Sequence, residues 1–147
     1  MKKKIISVFL LVLFLIPTTA NYAEDNYYHP VKKSNEELMM DLFSTLLLPD
    51  INKAVNNYYK DYLKTNTTVY PYQIQIAKME RIGGYRRFEF LITIEVTPVV
   101  GAHISVGKDQ LTFYISSGNV KMKDFKHIET HKLPPHWQDI IIKELPL

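Results

Sequence analysis

The stretch Val99–Asp109 holds the densest set of chemically useful side chains in the sequence: His103, Ser105, Lys108 and Asp109, interleaved with Gly101 and Gly107. A histidine to accept a serine proton and an aspartate to orient the imidazole are the residue types of acyl transfer. The spacing supports less than the inventory does. Residues two apart in an extended segment share a side, so His103 and Ser105 would point together. No Gly-x-Ser-x-Gly elbow is present to expose a nucleophile. The segment therefore reads as a loop between strands, its glycines permitting a tight backbone, with Lys108 and Asp109 in solvent. His103, Ser105, Lys108 and Asp109 fit a binding surface better than a catalytic centre, because loops on a rigid sheet commonly carry recognition.

His127, His131 and His136 are the other candidate cluster. Histidines four apart converge on a metal only when they lie on a helix. This segment reads as a strand running into Pro134-Pro135, so no metal site and no cofactor is implied. Tyrosine recurs through the chain, Tyr58, Tyr59, Tyr62, Tyr70 and Tyr72 among them. Such rings can stack on sugars or peptides, but at helical and strand spacing they are expected to line the core with the hydroxyl at its edge.

The elements that must position these residues follow from the hydrophobic period. Ser34 with Glu37 three residues on is a capping box ahead of an apolar run. Leu38, Leu42 and Leu46 then recur every four residues and predict a helix over about 35–47, with that stripe on the core. Pro49 disfavours the α conformation at Leu48, so a second helix over about 50–64 is expected after a kink. Beyond Thr65 the period falls to two. Strands are predicted around Tyr72–Ile76, Phe88–Val96, Leu111–Ile115 and Val120–Ile128, with turns at Gly83-Gly84 and Ser117-Gly118-Asn119. Ile92 and Ile94 should be buried and Glu95, pointing the other way, should be a surface residue. A short C-terminal helix is expected around Trp137 to Ile141.

No helix separates the strands, so the sheet should be antiparallel. The predicted class is α+β: two N-terminal helices, kinked at Pro49, packed on a four-stranded antiparallel sheet in a cystatin-like layout.

Lys2 to Lys4, the apolar run Ile5–Ile16 and the small residues Thr18-Thr19-Ala20 have the order of a secretory signal peptide. The apolar run is too short for a membrane-spanning helix, which needs about 20 residues. The expected organisation is a signal at 1–20, a flexible leader at 21–33 and a single α+β domain at 34–147. The chain has 18 Lys and Arg against 15 Asp and Glu, and a net charge of +3. Three of those lysines lie in residues 1–20, which hold no acid, so the remainder carries no net charge. That balance gives no support to a nucleic-acid partner. With no cysteine, thiol catalysis and cysteine-held zinc are excluded.

Several stretches together resemble a family: Asn56-Asn57-Tyr58-Tyr59-Lys60-Asp61, Gly84 to Phe90, Val96-Thr97-Pro98 through Gly101-Ala102-His103 to Asp109, and Leu133-Pro134-Pro135-His136. The chain is similar over roughly residues 36–138 to the small exported bacterial proteins grouped as domain of unknown function 3888. The resemblance implies export and one domain, and carries no activity, ligand or catalytic residue. The function expected is that of a secreted or cell-surface, non-enzymatic domain binding a peptide or a cell-envelope component. The alternative is an envelope hydrolase using the 101–109 loop, and a third reading is an inhibitor-type partner of another secreted protein.

Overall fold

The computed structural model describes residues 27–146. The expected signal peptide and the first part of the leader lie outside the described residues.

A single helix, α1 (Asn35–Tyr59), replaces the two that were expected. Its start is the predicted one: the Ser34 hydroxyl accepts the Glu37 N–H at 3.1 Å, and the Glu37 carboxylate takes the Lys33 N–H at 2.6 Å. Pro49 lies inside α1 without ending it. A proline within a helix costs about 3 kcal/mol through the lost N–H and the ring clash. Here Leu47, Ile51, Val55 and Tyr59 form one continuous stripe buried on the sheet from both sides of Pro49, which itself lies exposed. Burying four large side chains at about 1.5–3 kcal/mol each outweighs that cost.

The stripe that meets the core is not the predicted one. Leu38, Leu42 and Leu46 remain 66, 52 and 69% exposed. The N-terminal half of α1 is apolar over a wider arc than the sheet can cover, and Met40, Phe43 and Leu47 turn inward instead.

Six strands follow: β1 (Ile74–Arg81), β2 (Phe90–Val96), β3 (Val99–Val100), β4 (Ile104–Ser105), β5 (Gly107–Ser116) and β6 (Asn119–Thr130). Strands β1, β2, β5 and β6 form an antiparallel sheet in that order, and β3 and β4 pair as a small separate ribbon inserted between β2 and β5. The expected 101–109 loop is thus mostly structured, as this ribbon and the first residues of β5. Ile92, Ile94 and Val96 of β2 and Leu111 and Phe113 of β5 point at α1 and are buried, as the alternation predicted. The expected C-terminal helix is a 3₁₀ helix, Pro135–Ile140.

Side-chain amides of α1 act as a further strand partner. Asn56 accepts the Thr67 N–H at 2.8 Å and donates to the Thr67 carbonyl at 3.0 Å. Asn52 does the same for Val69, at 2.8 and 3.3 Å. The segment held in this way pairs onward with β3, through Thr68 N–H to the Val99 carbonyl at 2.8 Å and the reverse bond at 2.9 Å. Helix, connecting segment and β3–β4 ribbon therefore have fixed relative positions.

Candidate binding site

The four residues singled out in the sequence go to four different places. Lys108 and Asp109 are neighbours in β5, so they face opposite sides of the sheet. Lys108 pairs with Glu95 at 2.5 Å and with the Tyr27 hydroxyl at 2.8 Å. Neither Lys108 nor Asp109 is a solvated loop residue.

Asp109 is fully buried beneath α1. A register shift between Lys108 and Asp109 sets it opposite His127 of β6, and the His127 Nδ1 lies 2.6 Å from Asp109 Oδ1. On its far side, His127 Nε2 meets the Thr130 hydroxyl at 2.7 Å, which donates to the Pro146 carbonyl at 2.6 Å. Asp109 Oδ2 and the Tyr59 hydroxyl are both buried without a hydrogen-bond partner. Burial raises the Asp109 pKa above the ordinary aspartate value, with the contacts to His127 and the nearby Tyr59 pulling the other way. Burial and the Asp109 charge together push the Tyr59 hydroxyl far up. Gly107 belongs to the same corner: a Cβ there would stand 2.4 Å from the Glu129 carbonyl and 2.7 Å from the Tyr59 hydroxyl. This network joins α1, β5, β6 and the C-terminal tail, and offers a ligand no exposed group of Asp109.

Ser105 pairs with His131, not His103: its hydroxyl lies 2.6 Å from His131 Nδ1, and His131 Nε2 is 3.3 Å from Glu129. This is the connectivity of a nucleophile, base and orienting acid. An acyl-transfer centre would also need free N–H donors beside Ser105 for a developing oxyanion, and two neighbouring N–H groups are already engaged. The Val106 N–H is taken by the Pro98 carbonyl and the His131 N–H by the Val106 carbonyl. Among the described residues, no three His, Asp or Glu side chains are placed to hold a metal ion.

His103 stands in the β3–β4 turn with φ of +63°, a left-handed conformation uncommon for a residue other than glycine. Three contacts hold it there. Its N–H bonds the Gly101 carbonyl at 2.9 Å. Its imidazole stacks on the Tyr70 ring at 4.7 Å between centroids, and its Nδ1 shares a 2.9 Å hydrogen bond with the Tyr72 hydroxyl. Tyr70 and Tyr72 are themselves stacked at 5.7 Å with only 9° between their planes.

The hydrogen bond sets the shape of this cluster. The Tyr72 and His103 centroids are 6.4 Å apart with the planes 29° from parallel, a separation expected for two rings joined edge to edge through O–H and N. Tyr72 and His103 thus form a two-ring plate, and Tyr70 lies behind it. Tyr72 is 71% exposed, and His103 is exposed too. Among the described residues, His103 Nε2 has no hydrogen-bond partner, so it remains available to a ligand.

The plate depends on local sequence and on distant pairing. Pro71 starts a 3₁₀ turn, Pro71–Gln73, in which the Gln73 side chain accepts the Tyr70 N–H at 2.9 Å and the Gln73 N–H bonds the Tyr70 carbonyl at 2.9 Å. The Thr68–Val99 pairing then carries this turn to His103. Gly101 seats the ribbon from behind: a Cβ there would fall 2.1 Å from the Trp137 ring. Beside Tyr72 a cavity of about 320 Å³ runs toward α1, lined by Glu37, Asp41, Ser44 and Gln75 among others. Sequence reasoning singled out His103 but expected Tyr70 and Tyr72 to line the core; Tyr72 is instead 71% exposed, and the local signal for the pair is the Tyr-Pro-Tyr turn.

Fold and cluster together define a small α+β domain that presents an exposed aromatic plate from a ribbon inserted in its sheet. The chain belongs to the family described as protein of unknown function (DUF3888), whose model matches residues 39–129. No curated protein and no solved structure matches it.

Proposed function

We propose that this is an exported, non-enzymatic domain that binds a cell-envelope saccharide on the Tyr72–His103 plate. The observation that carries the reading is the plate itself: two exposed rings, bonded edge to edge and backed by Tyr70. A sugar ring offers an apolar C–H face to such a surface and hydroxyls at its edge, which suits an aromatic plate with a polar rim. His103 Nε2 and the acceptors of the neighbouring cavity, Asp41, Glu37 and Gln75, supply that rim. Holding His103 at positive φ stores strain, a feature that clusters at ligand sites. The balanced charge of residues 21–147 favours a neutral ligand over a polyanion. Against the alternative, hydrolysis by the 101–109 loop, stands the pairing of Ser105 with His131 and not His103, and the engagement of the Val106 and His131 N–H groups beside it.

The test is co-sedimentation of the purified protein with protein-free peptidoglycan. Tyr72→Ala and His103→Ala should each lower the bound fraction at least tenfold, with melting temperatures close to wild type. Tyr72→Phe, which keeps the ring, should bind far better than Tyr72→Ala. Undiminished sedimentation of the stable Tyr72→Ala protein overturns the proposal.

A further inference from the structure

A second site lies along the outer strand β1. Among the described residues, the order of the sheet leaves one side of β1 without a strand neighbour, a row of main-chain groups open to pairing with another chain. One position on that side is already used in this way: the Tyr28 N–H bonds the Ile76 carbonyl at 3.4 Å. The protein's own segment thus shows that the edge accepts an extended main chain.

Immediately after Ile76 the pairing with β2 shifts by one residue at Ala77, and Met79 comes to lie opposite the buried Ile92. Met79 therefore faces the helix side of the sheet, yet it is 52% exposed because α1 does not cover it. A cavity of about 660 Å³ fills the space between them, lined by Met39, Met40, Ile76 and Met79, with Glu36 and Lys78 also on its walls. Methionine side chains are flexible and polarisable, and they accommodate varied apolar groups. An open strand edge beside an apolar cavity is the arrangement for strand addition, in which the backbone gives affinity and the cavity takes alternate side chains.

We infer that the β1 edge and the methionine-lined cavity bind an extended peptide segment of another protein, by adding a strand with an apolar side chain in the cavity. The occupant is extended because the edge supplies main-chain partners and Tyr28 already uses one of them. It is uncharged at the cavity because Glu36 and Lys78 carry opposite charges and favour neither sign. This cavity adjoins the one beside Tyr72, with Tyr28, Met40 and Ile76 lining both, but neither Tyr72 nor His103 lines it.

The probe is a fluorescein-labelled peptide of ten residues alternating Val and Thr, with a lysine at each end, titrated into the purified protein. Binding should be saturable and should slow amide exchange over residues 77–81. N-methylation of alternate peptide residues on the pairing side should lower the affinity at least tenfold, as should Met79→Asp. Tyr72→Ala should leave it unchanged, which separates this inference from the saccharide reading. No saturable binding, or binding indifferent to both N-methylation and Met79→Asp, overturns the inference. So does a peptide-insensitive dimer, seen by analytical ultracentrifugation and broken by Leu42→Asp, because the apolar surface would then serve a second copy through α1.

Discussion

Asp109 shows what a single side chain costs and gives in this protein. A carboxylate with one buried oxygen unpartnered carries a penalty of about 1–3 kcal/mol. His127 offsets part of it with a 2.6 Å bond. Burial raises the native pKa above the unfolded value, so the native state holds this proton more tightly than the unfolded chain does. The group's favourable contribution is then complete below the ordinary aspartate pKa and is lost as pH rises through the raised native one. Asp109→Asn keeps this one side chain uncharged at every pH. Its stability relative to wild type should therefore move in the variant's favour as pH climbs from the ordinary aspartate value through the native one. Urea titrations at closely spaced pH values measure this. Parallel stability curves for the two proteins would show that Asp109 does not titrate as its burial requires.

Among the elements, β2 is where alternation reads most directly as burial, and where it also falls short. Ile94 is fully buried, and Ile94→Ala should cost about 2–5 kcal/mol as the cavity forms. Glu95 faces the opposite side as predicted, but it is no solvated residue. Its side chain is 13% exposed, pairs with Lys108 and accepts from Tyr27 and from Gln110. Burial alone would raise its pKa, but the hydrogen bonds from Lys108 and Tyr27 outweigh it and hold the carboxyl below the usual range. Glu95→Ala should therefore cost about 1–3 kcal/mol, from partners left unmade, instead of the near-zero loss of a surface change. Salt separates the two. In 1 M NaCl the Glu95→Ala deficit should narrow in part, because the Lys108 side chain keeps 29% of its surface in solvent and the pair is weakly screened, while the Ile94→Ala deficit should not. Thermal melts of both variants at two salt concentrations check the assignment, and a deficit for Glu95→Ala that ignores salt would contradict it.

At the scale of the whole molecule, α1 is longer than the sheet needs. Its C-terminal half is clamped on the core and, through Asn52 and Asn56, onto the 67–69 segment. Its N-terminal half leaves Leu38, Met39, Leu42 and Leu46 outside. Exposed apolar groups clustered on a small domain mark an interaction surface, and Met39 among them lines the β1 cavity. Among the described residues no helix is long and apolar enough to cross a membrane. The proposed export adds a prediction about the chain as a whole. The protein recovered from culture medium should begin at Asn21 or Glu24, as N-terminal sequencing would report. Recovery only from the membrane, with Met1 intact, would contradict it.

The local signals in the sequence were sufficient for the start of α1 at Ser34, for the inward alternation of β2 and β5, and for an antiparallel sheet. Each depends on residues within a few positions of one another: a cap, a period, a turn. Tertiary structure alone decided the rest. Pro49 reads locally as a break, yet α1 runs through it, because one buried stripe on both sides of the proline outweighs a lost hydrogen bond. Leu38, Leu42 and Leu46 have the period of a core face, but period cannot tell which of two apolar arcs the sheet will cover. The candidate site divides in the same way. His103 could be singled out as a polar residue in a glycine-containing connection. Its partners Tyr70 and Tyr72 lie about thirty positions earlier, and only the Asn52, Asn56 and Val99 pairings bring them to it. Asp109, read as solvated, is buried because β5 begins earlier than its apolar residues suggest, and the shifted register of β6 supplies the histidine that makes its burial tolerable.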